Sequence, residues 1–399
     1  MGSLFIHIKE FAWRDLIVCG KIIVSYILVF YYKITKKTII VIADRPNSAE
    51  DNGYYLYKWI RENDPSANVY FILSSRSEAF DSSDTHMINW GSISHYAYVI
   101  AATVLVDSMC LGTLPKEKFF LLFKHKFLNK KVVYIGHGVH KDSCETYMYN
   151  IHKWSLFTTT IKPEYEYFKQ NAGYPDGYIE MTGMPRFDDL LLSRSNNRFI
   201  LLLPTWRRYI GAADYKTEKE NEIEFLNSDY YKTYKSLITN SSLIEFLNSN
   251  KIKLRYCLHP SYRHYTHHFS SNEECIEIVD PNETIHTLLA TASMLITDYS
   301  SVFFDAAYIG MPIIYYQFDY DEYRKHHFTK GYYDYEKHGY GPVVKEENEL
   351  VNFIKASFEG NSFKRQDFYT QRSEEHFGCI DTNNCKRTYE AIIRCVKRT

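Results

Sequence analysis

The sequence predicts an α/β protein with two doubly wound, parallel-sheet domains that face a central cleft. Its 399 residues are too many for one compact α/β domain and suit two domains of roughly 180 residues each. Short apolar strands alternate with polar loops and helical segments along most of the chain, a pattern typical of a parallel sheet covered by helices on both faces. The polar stretch S-R-S-N-N-R at 193–198 interrupts the alternation and marks the best domain boundary.

Short apolar runs rich in β-branched residues mark the predicted strands, and apolar residues at helical spacing mark the helices between them. In the first domain the predicted strands are 38–43, 69–73, 104–107 and 131–135, and the predicted helices are 53–62, 93–101 and 163–171. In the second domain the predicted strands are 199–203, 253–258, 277–279, 294–297 and 312–316, and the predicted helices are 229–239, 241–249 and 284–292. We expect the polar insertion at 211–222, which has few apolar anchors, to be a mobile loop beside the cleft.

These elements divide the chain into four parts. Residues 1–37 are an apolar and basic helical segment, 38–195 the first Rossmann-like domain, 196–375 the second, and 376–399 a C-terminal helix expected to pack back on the first domain. In paired domains of this kind, ligands bind in the crevice outside the carboxyl ends of the strands. Most of the motifs described below follow a predicted strand, so we expect them to meet in that crevice.

Composition excludes several classes of function. Hydrophobic residues make up 45% of the chain and charged residues 24%, which is typical of a globular protein, and the net charge of −1 provides no basic field for nucleic acid. The eight cysteines are scattered without a C-x-x-C pair, and no cleavable signal is evident, so we expect reduced thiols in a cytoplasmic protein without disulfides or structural zinc. The sequence has no P-loop, no G-x-S-x-G elbow, no H-E-x-x-H motif and no G-x-G-x-x-G loop after a strand.

An apolar run from Leu16 to Tyr32 stands out near the N-terminus. Basic residues precede and follow it: Lys9, Arg14, Lys33, Lys36 and Lys37. Because the run is borderline in length for a span, we expect a helix that lies in the interface of an anionic membrane. The alternative is a long first helix packed on the domain core, and a transmembrane span ranks behind both. The same apolar run also suits the pairing of two copies into a homo-oligomer.

The most informative segment joins a buried strand, a hydroxyl-rich turn and a short helix. Apolar residues at 294–296 predict the strand, and apolar residues at helical spacing over 302–309 predict the helix. Ser300 and Ser301 then lie at the helix N-terminus, where free backbone N–H groups, the helix dipole and two hydroxyls converge on a negative group. Asp305 faces the same way and could accept a hydrogen bond from a ribose or substrate hydroxyl. The alternative is that Ser300 only caps the helix.

Two histidines follow predicted strands. His137 lies between Gly136 and Gly138, which let the backbone approach a ligand, and a neutral imidazole titrates near the operating pH, so His137 is a candidate general base. The alternative for His137 is a histidine used only for a turn hydrogen bond. His259 precedes a proline that stops the strand, and its ring would face the same crevice and suit a phosphate.

Two loops add cationic and hydroxyl groups. The P-T-W-R stretch at 204–207 ends the first strand of the second domain and supplies Pro204, Thr205 and Arg207, and the G-M-P-R-F-D stretch at 183–188 supplies Arg186. Each arginine alone is more often a surface ion-pair partner than a ligand contact. With the two histidines and two serines, however, these residues could form a pocket for a pyrophosphate.

In combination, the motifs resemble those of the CDP-glycerol glycerophosphotransferase family of teichoic acid and capsule synthesis. The resemblance rests on G-H-G at 136–138, G-M-P-R-F-D at 183–188, P-T-W-R at 204–207, L-H-P at 258–260 and, most specifically, T-D-Y-S-S-V-F-F-D at 297–305. The early segment D-R-P-N-S-A-E-D-N-G-Y at 44–54 also resembles the beginning of related enzymes. It covers roughly residues 38–375, in the family's order. It implies a GT-B architecture, with an acceptor domain at 38–195, a CDP-polyol-binding domain at 196–375, and peripheral attachment to the cytoplasmic face of the cell membrane.

The resemblance also implies roles for particular residues. The expected catalytic residues are His137, as the base, and His259. The expected substrate-binding residues are Gly138, Arg186, Pro204, Thr205, Arg207, Ser300, Ser301 and Asp305. One departure is G-V-H-K-D at 138–142 where many members have G-T-P-x-K, which leaves open how this loop contacts the glycerol or the acceptor. No cofactor and no required protein-bound metal are expected: Asp319 and Asp321 have a metal-like spacing, but we expect them to cap the next turn or helix.

The implied reaction transfers glycerol phosphate from CDP-glycerol to a hydroxyl of a polyol-phosphate or lipid-linked glycan acceptor, with release of CMP. A ribitol-phosphate transferase that uses CDP-ribitol is an alternative, because the choice of polyol depends on pocket shape. A GT-B sialyl- or polysialyltransferase is another, since those enzymes also place H-P and S-S motifs on cytidine monophosphate. A catalytically inactive GT-B protein that recruits partners at the membrane is the alternative from a different class.

Overall fold

The computed structural model describes residues 13–36, 38–110, 112–115, 130–195, 197–211, 216–360 and 362–398. Within these ranges the chain forms two parallel β-sheets and a small antiparallel hairpin. The sheets belong to two successive parts of the chain, and helices cover them on both faces. The predicted fold class, α/β with two doubly wound domains, is therefore confirmed.

The first sheet has seven parallel strands in the order β3-β2-β1-β4-β5-β6-β7. They are β1 (Ile39–Ala43), β2 (Asn68–Leu73), β3 (Met87–Asn89), β4 (Val104–Asp107), β5 (Lys131–Tyr134), β6 (Leu156–Thr159) and β7 (Ile179–Met181). The strand order reverses between β1 and β4. Such a reversal opens a crevice at the carboxyl ends of the strands, where doubly wound folds bind ligands.

The second sheet has six parallel strands in the order β10-β9-β8-β11-β12-β13. They are β8 (Phe199–Leu202), β9 (Lys253–Tyr256), β10 (Ile276–Ile278), β11 (Met294–Thr297), β12 (Ile313–Tyr316) and β13 (Val343–Val344), and the separate hairpin pairs β14 (Phe358–Glu359) with β15 (Ser362–Phe363). Here the order reverses between β8 and β11. The turn after β11 carries the two predicted serines, so that turn lies at the second crevice.

Helices connect the strands and cover both sheets. The α-helices are Trp13–Thr35, Asn52–Asn63, Ile93–Ala101, Tyr149–His152, Lys162–Asn171, Arg186–Leu192, Glu218–Asn227, Asp229–Ile238, Ser241–Asn250, Ile285–Thr291, Phe303–Tyr308, Tyr320–His326, Tyr335–His338, Glu347–Ala356, Asp367–Phe377 and Asn384–Lys397, and the 3-10 segments are Cys144–Tyr147 and Pro260–Phe269.

Both faces of each sheet are buried, which explains why the strands read as continuous apolar runs. Every residue of β1, β4, β6, β8, β11 and β12 is buried. Alternate side chains point to opposite faces, so Val41 packs with Val99 on one face of the first sheet while Ile42 packs with Leu56 on the other. Each domain thus has a core on both sides of its sheet.

The C-terminal helix Asn384–Lys397 lies against the first domain, although it follows the second in sequence. Its buried face, which includes Ala391 and Ile392, joins the apolar cluster of β1 and the helix Asn52–Asn63. The Lys131 ammonium donates a hydrogen bond to the carbonyl oxygen of Cys395 (2.8 Å) near the end of this helix, where a cation is favoured. The chain therefore crosses between the domains a second time.

The N-terminal helix Trp13–Thr35 packs on the first domain by one face. That face buries Val18 and Val29 against the cluster that contains the helix Ile93–Ala101. The Lys21 ammonium donates a hydrogen bond to the carbonyl oxygen of Gly91 (2.7 Å), which fixes the helix near its middle. The predicted helix from Leu16 to Tyr32 is thus present and in contact with the domain.

The opposite face of this helix is apolar and faces solvent. The exposed fractions are 70% for Ile23, 72% for Ile27 and 71% for Phe30. Among the described residues, the stretch Ile17–Thr35 is the one helix long and apolar enough to cross a membrane, judged by length and composition alone. Of the basic residues that flank the run in the sequence, Lys9 and Lys37 lie outside the described residues.

Part of the predicted loop at 211–222 is helical. The helix Glu218–Asn227 begins after Thr217, whose hydroxyl accepts a hydrogen bond from the Glu220 N–H (3.3 Å), and the Glu220 carboxylate accepts one from the Thr217 N–H (2.8 Å). This reciprocal capping box and the burial of Phe225 favour a helix here. The expectation of a loop is therefore wrong for residues 218–222, and residues 212–215 lie outside the described part of the chain.

Candidate active site

A cavity of about 450 Å³ lies between the two domains, where the carboxyl ends of their strands face each other. Six of the residues predicted from the sequence line it: His137, Arg186, His259, Ser300, Ser301 and Asp305. They come from loops after three different strands and from two helices, one in each domain. The fold thus brings together side chains that are far apart in the sequence.

His137 follows β5 on a turn that requires glycine. Gly136 has a φ of +63°, a left-handed conformation that glycine adopts without strain, and it turns the chain directly after the strand. Burial, followed by the neighbouring charges of His140, Arg186 and Arg45, lowers the pKa of His137 to about 4. A contact with the Ser108 backbone partly offsets this lowering of the pKa, but burial dominates, so the ring is neutral at physiological pH. A neutral imidazole held in this way can receive a proton.

Gly138, the next predicted residue, brings the turn against the serine loop of the second domain. A methyl group placed on Gly138 would lie 2.8 Å from Ser301 Oγ, closer than real Cβ atoms approach. The absent side chain therefore allows the two loops to meet across the cleft. Gly138 acts here as a close-approach position and is not itself part of the cavity wall in the described structure.

His259 lies after β9, directly before the 3-10 segment Pro260–Phe269, and faces the cavity from the second domain. Its Nδ1 accepts a hydrogen bond from the Ser261 N–H (3.2 Å), which places the ring proton of the neutral form on Nε2. Burial, followed by the charges of Arg45 and Arg263, lowers the pKa of His259 to about 4. The ring stacks on Trp206, with centroids 5.9 Å apart. His259 is therefore oriented as a neutral N–H donor, a suitable partner for a phosphate oxygen.

Arg186 links the two domains at the cavity. Its guanidinium donates to both carboxylate oxygens of Asp305 (2.7 and 2.9 Å), to Asp51 (2.9 Å) and to the carbonyl oxygen of His137 (3.0 Å). The carboxylates of Asp305 and Asp51 raise the pKa of the guanidinium further above its ordinary value. In this structure Arg186 and Asp305 thus organise the site by binding each other.

Ser300 and Ser301 precede the helix Phe303–Tyr308 and line the cavity. The Ser300 hydroxyl accepts a long hydrogen bond from the Val302 N–H (3.4 Å), but Val302 is the N-cap residue and no side chain caps the helix. Both serines are half-buried and keep a hydroxyl near the cavity. The local arrangement is the one expected from the sequence, a hydroxyl-rich turn between a buried strand and a short helix.

Arg207 does not line the cavity but is fully buried behind it, so the expectation of a direct substrate contact finds no support. Its guanidinium donates to Asp319 (2.6 and 2.9 Å) and lies 2.9 Å from Asp298, and the rings of Tyr299 and Tyr323 pack over it. Asp319 stands at the N-cap position of the helix Tyr320–His326 without capping it, because its carboxylate binds Arg207. The expectation that Asp319 is a helix cap is therefore wrong.

Pro204 and Thr205 are buried and lie outside the cavity wall, which in this stretch is formed by Leu203. The Thr205 N–H donates to the Asp298 carboxylate (2.8 Å). The hydroxyl of Thr205 has no hydrogen-bond partner among the described residues. The P-T-W-R motif therefore lies behind the cavity wall, where Thr205 and Arg207 bind Asp298. None of its side chains lines the cavity.

Arg45 and Arg263 also line the cavity, although neither is among the individually predicted site residues. Both lie close enough to His259 to lower its pKa, although they come from different domains. Arg45 directly follows β1 and its neighbour Asp44, and Arg263 follows the H-P motif on the 3-10 segment. Their positions after the carboxyl ends of strands were a usable signal, because that is where ligand-binding residues of this fold class lie.

Asn52, which was not predicted individually, connects the G-H-G turn to the helix of Arg186. It is completely buried; its Nδ2 donates to the Gly136 carbonyl oxygen (2.8 Å), and its Oδ1 accepts from the Arg186 N–H (3.2 Å). A buried amide with both ends paired holds the two backbones at a fixed separation. Asn52 lies in the segment 44–54 that resembles related enzymes, but its role could not be read from the sequence because it depends on three segments that meet only in the fold.

Together these residues form a cleft suited to an anionic ligand with a reacting hydroxyl. Arg45 and Arg263 supply positive charge, His259 an N–H, and Ser300 and Ser301 hydroxyl donors, while His137 supplies a proton acceptor. Fixed donors in a partly buried cleft stabilise developing negative charge more strongly than water does. The arrangement fits transfer of a phosphoryl group to a hydroxyl.

Comparison with known sequences agrees with this chemistry. The profile of the family described as CDP-Glycerol:Poly(glycerophosphate) glycerophosphotransferase matches residues 24–394. The minor teichoic acid biosynthesis protein GgaB of Bacillus subtilis is 29% identical over 368 residues, covering 90% of this chain and 40% of GgaB. The teichoic acid poly(glycerol phosphate) polymerase of Bacillus spizizenii is 25% identical over 333 residues, covering 76% of this chain and 79% of the polymerase. This chain thus spans less than half the length of GgaB.

Comparison with solved structures identifies the same architecture. The wall teichoic acid polymerase TagF superposes with a TM-score of 0.65 at 16% sequence identity, covering 97% of this chain and 99% of the TagF chain. Identity this low supports the fold alone, which is the predicted GT-B arrangement of two facing domains. The family profile, in contrast, covers most of the sequence and includes every motif on which the resemblance rests. The chain belongs to the CDP-glycerol:poly(glycerophosphate) glycerophosphotransferase family.

Proposed function

We propose that this protein transfers glycerol phosphate from CDP-glycerol to a hydroxyl of a teichoic acid or capsule acceptor and releases CMP. The observation that carries the proposal is the meeting of His137, His259, Arg45 and Arg263 with the two serines around one cavity between the domains. Membership of the family supplies the substrate class. The acceptor is a polyol phosphate or a lipid-linked glycan.

In the proposed reaction the acceptor oxygen attacks the β-phosphorus of CDP-glycerol. The bond from this oxygen to phosphorus forms, the bond from phosphorus to the CMP oxygen breaks, and the acceptor proton passes to His137. The lowered pKa of His137, about 4, keeps its ring neutral at physiological pH and available as a base. The negative charge that develops on the departing CMP phosphate would be met by the His259 N–H, Arg45 and Arg263.

Four other residues of the cavity wall would orient the donor or hold the two loops in place. Ser300 and Ser301 offer hydroxyls to a phosphate oxygen, and Asp305 and Arg186, which bind each other in the structure, hold the loops of the two domains in register. In this proposal Arg186 and Asp305 act on the CDP-polyol mainly by fixing the position of His137 and the serine turn. Direct contacts would require their bidentate pair to open.

The experiment is CMP release by the purified protein with CDP-glycerol, CDP-ribitol and CMP-sialic acid in turn, each with and without a glycerophosphate-primed lipid acceptor. We expect acceptor-dependent turnover of CDP-glycerol that is lost in His137→Ala and kept in His264→Ala, a change at an exposed histidine outside the cavity. Turnover of CDP-ribitol alone would assign ribitol phosphate instead. Turnover of CMP-sialic acid alone would favour the sialyltransferase alternative, and equal activity of His137→Ala and the parent would favour the inactive recruiting protein.

We further propose that the N-terminal helix attaches the protein to the cytoplasmic face of the membrane, without crossing it. One face of the helix is committed to the first domain through Val18 and Val29, while the outward face exposes Ile23, Ile27 and Phe30. A helix that is packed along its length on a domain can insert its free face into a bilayer surface but cannot turn to span it. A lipid-linked acceptor would then lie in the same surface.

Vesicle co-sedimentation tests this attachment. We expect the protein to sediment with vesicles that contain phosphatidylglycerol, and Ile27→Glu with Phe30→Glu to abolish sedimentation, because two charges would enter the apolar face. Leu192→Glu is a matched control, since Leu192 is an apolar side chain that is 75% exposed on another helix. Loss of a dimer in the double variant, without any vesicle binding by the parent, would show instead that the face pairs two copies of the chain.

A further inference from the structure

Three side chains on the surface of the second domain converge on one point outside the cleft. Glu222 lies on the helix Glu218–Asn227, and His267 and His268 lie near the end of the 3-10 segment Pro260–Phe269. Their ligand atoms all lie within 4.8 Å of one another. None of the three belongs to the wall of the cleft cavity, so the cluster is separate from the proposed transferase site.

We propose that Glu222, His267 and His268 form a binding site for a divalent transition metal of the zinc type. Glu222 Oε1 lies 2.8 Å from His268 Nε2 and 3.7 Å from His267 Nε2. Ligand atoms around a tetrahedral Zn²⁺, each about 2.0–2.2 Å from the metal, stand about 3.3 Å apart, a value between these two separations. The ligand atoms of the two histidines lie within 4.8 Å of each other, so rotation of their side chains would bring all three atoms to binding distance, and water would complete the coordination.

The donor set selects the kind of metal. Two imidazole nitrogens and one carboxylate suit Zn²⁺, Cu²⁺ or Ni²⁺, whereas Mg²⁺ and Ca²⁺ prefer oxygen ligands alone. The exposed fractions of 64% for His267 and 39% for Glu222 leave a path for an ion from solvent. Glu218 and Glu220 lie on the same helix and add negative charge near the cluster, whereas Glu224 is paired with Lys216 (2.7 Å).

The backbone that carries the two histidines is held in place before any metal binds. The carbonyl oxygen of His268 accepts hydrogen bonds from the Tyr231 hydroxyl (3.3 Å) and the Lys235 ammonium (3.1 Å). Phe269, the next residue, is completely buried in the core. Because the segment is already ordered, metal binding would cost little conformational entropy beyond the side chains.

A metal at this position would join the helix Glu218–Asn227 to the segment Pro260–Phe269. That segment begins directly after His259, whose ring faces the cleft. The ion would thus stabilise the part of the second domain that supports His259 while remaining outside the reaction. This role is structural and does not depend on the proposed transferase activity.

The test is equilibrium binding of Zn²⁺ to the chelator-treated full chain, measured by competition with a chromophoric chelator, with Co²⁺ absorption as a probe of coordination. We expect one site in the parent and more than about tenfold weaker binding in Glu222→Gln and in His267→Ala, since changes in second-shell groups alone weaken metal sites by 10–100-fold. His264→Ala, at an exposed histidine of the same segment outside the cluster, should bind as the parent does.

Two outcomes would overturn the proposal. One is equal Zn²⁺ affinity and stoichiometry in the parent, Glu222→Gln and His267→Ala, which would mean that any bound ion lies elsewhere. The other is loss of binding in His264→Ala as large as in the cluster variants, which would mean a different ligand set. Glu222→Gln and His267→Ala change partly exposed side chains, so we expect both variants to fold. Circular dichroism checks this. CMP release plays no part in these readouts, so failure of this proposal is distinct from failure of the transferase proposal.

Discussion

Arg186 and Asp305 form a bidentate ion pair that joins the two domains beside the candidate catalytic base. The guanidinium Nε and Nη2 donate to the two oxygens of Asp305 at 2.7 and 2.9 Å, and both side chains are largely buried. Since the guanidinium also binds the carbonyl oxygen of His137, the pair transmits the position of the second domain to the turn that carries the base.

We expect Arg186→Gln to destabilise the protein by about 3 kcal/mol, because Asp305 would be left buried without its partner. The rate of CMP release should fall as well, since His137 loses a backbone contact. Chemical denaturation and turnover measure the two effects. Arg394→Gln is the control: Arg394 pairs with Glu180 but its side chain is 57% exposed, so the loss should stay below about 1 kcal/mol. Equal effects of the two changes would contradict this account.

Asn52→Ala should lower kcat and leave the KM for the donor nearly unchanged, because Asn52 positions the G-H-G turn without reaching the cavity. The unpaired Gly136 carbonyl should also cost about 2 kcal/mol of stability. Steady-state kinetics and denaturation test both expectations. Asn171→Ala removes a similar side chain to carbonyl hydrogen bond (2.8 Å) at an exposed helix position and should change neither quantity. A rise in donor KM as the main effect would mean that Asn52 binds the donor.

The pH dependence should reflect the lowered pKa of His137. In the free enzyme we expect kcat/KM to fall as the pH drops through about 4, well below the ordinary histidine value of 6.5, because protonation removes the base. The free energy of unfolding should also decrease as the pH falls from 6.5 to 4. In this range His137 is protonated in more of the unfolded chains than of the folded ones, so lowering the pH favours unfolding. Arg45→Gln removes a positive charge that lowers this pKa and should move the limb of the rate profile upward. A limb that stays in place would argue against Arg45 lying near the base.

Gly138→Ala should impair the enzyme by steric conflict alone. The added methyl group would lie 2.8 Å from Ser301 Oγ, so either the Ser301 hydroxyl must rotate away from its cavity position or the turn and the serine loop must separate. We expect lower thermal stability and turnover. Combining the change with Ser301→Gly should restore stability, because the obstructing atom is gone, although Ser301→Gly alone lowers donor affinity. No recovery in the double variant would locate the conflict elsewhere.

Arg207→Met should destabilise the protein by about 3–5 kcal/mol, because two carboxylates, Asp298 and Asp319, would lose a fully buried partner. The soluble yield and the unfolding midpoint should fall together. Arg207→Lys retains a charge but not the planar geometry and should be intermediate. A stable Arg207→Lys variant in which only the donor KM rises would instead support the direct substrate contact expected from the sequence.

The candidate site was predictable to the extent that its residues follow strands. His137, His259, Ser300 and Ser301 each occur within a few residues of an apolar run, and parallel strands end at one edge of a sheet, so their meeting followed from pattern and topology together. The same reasoning placed Arg207 in the cavity. That prediction is wrong because the direction of a side chain after a strand depends on its partners. The guanidinium of Arg207 is buried in the core, where it binds Asp298 and Asp319.

What the sequence determined by itself is the class of fold, the family and the segments that surround the cleft, because strand and helix periodicity and short motifs are local properties. Only the tertiary structure decided which charged and amide side chains bind each other. Arg186 could equally have been free for an anion, but the fold places Asp305 and Asp51 beside it. Asn52 lies in a segment that resembles related enzymes, but it acquires its role only where three segments meet. A charged or amide side chain has strong interactions with whichever partner is near, and nearness between distant segments is fixed only when the domains pack.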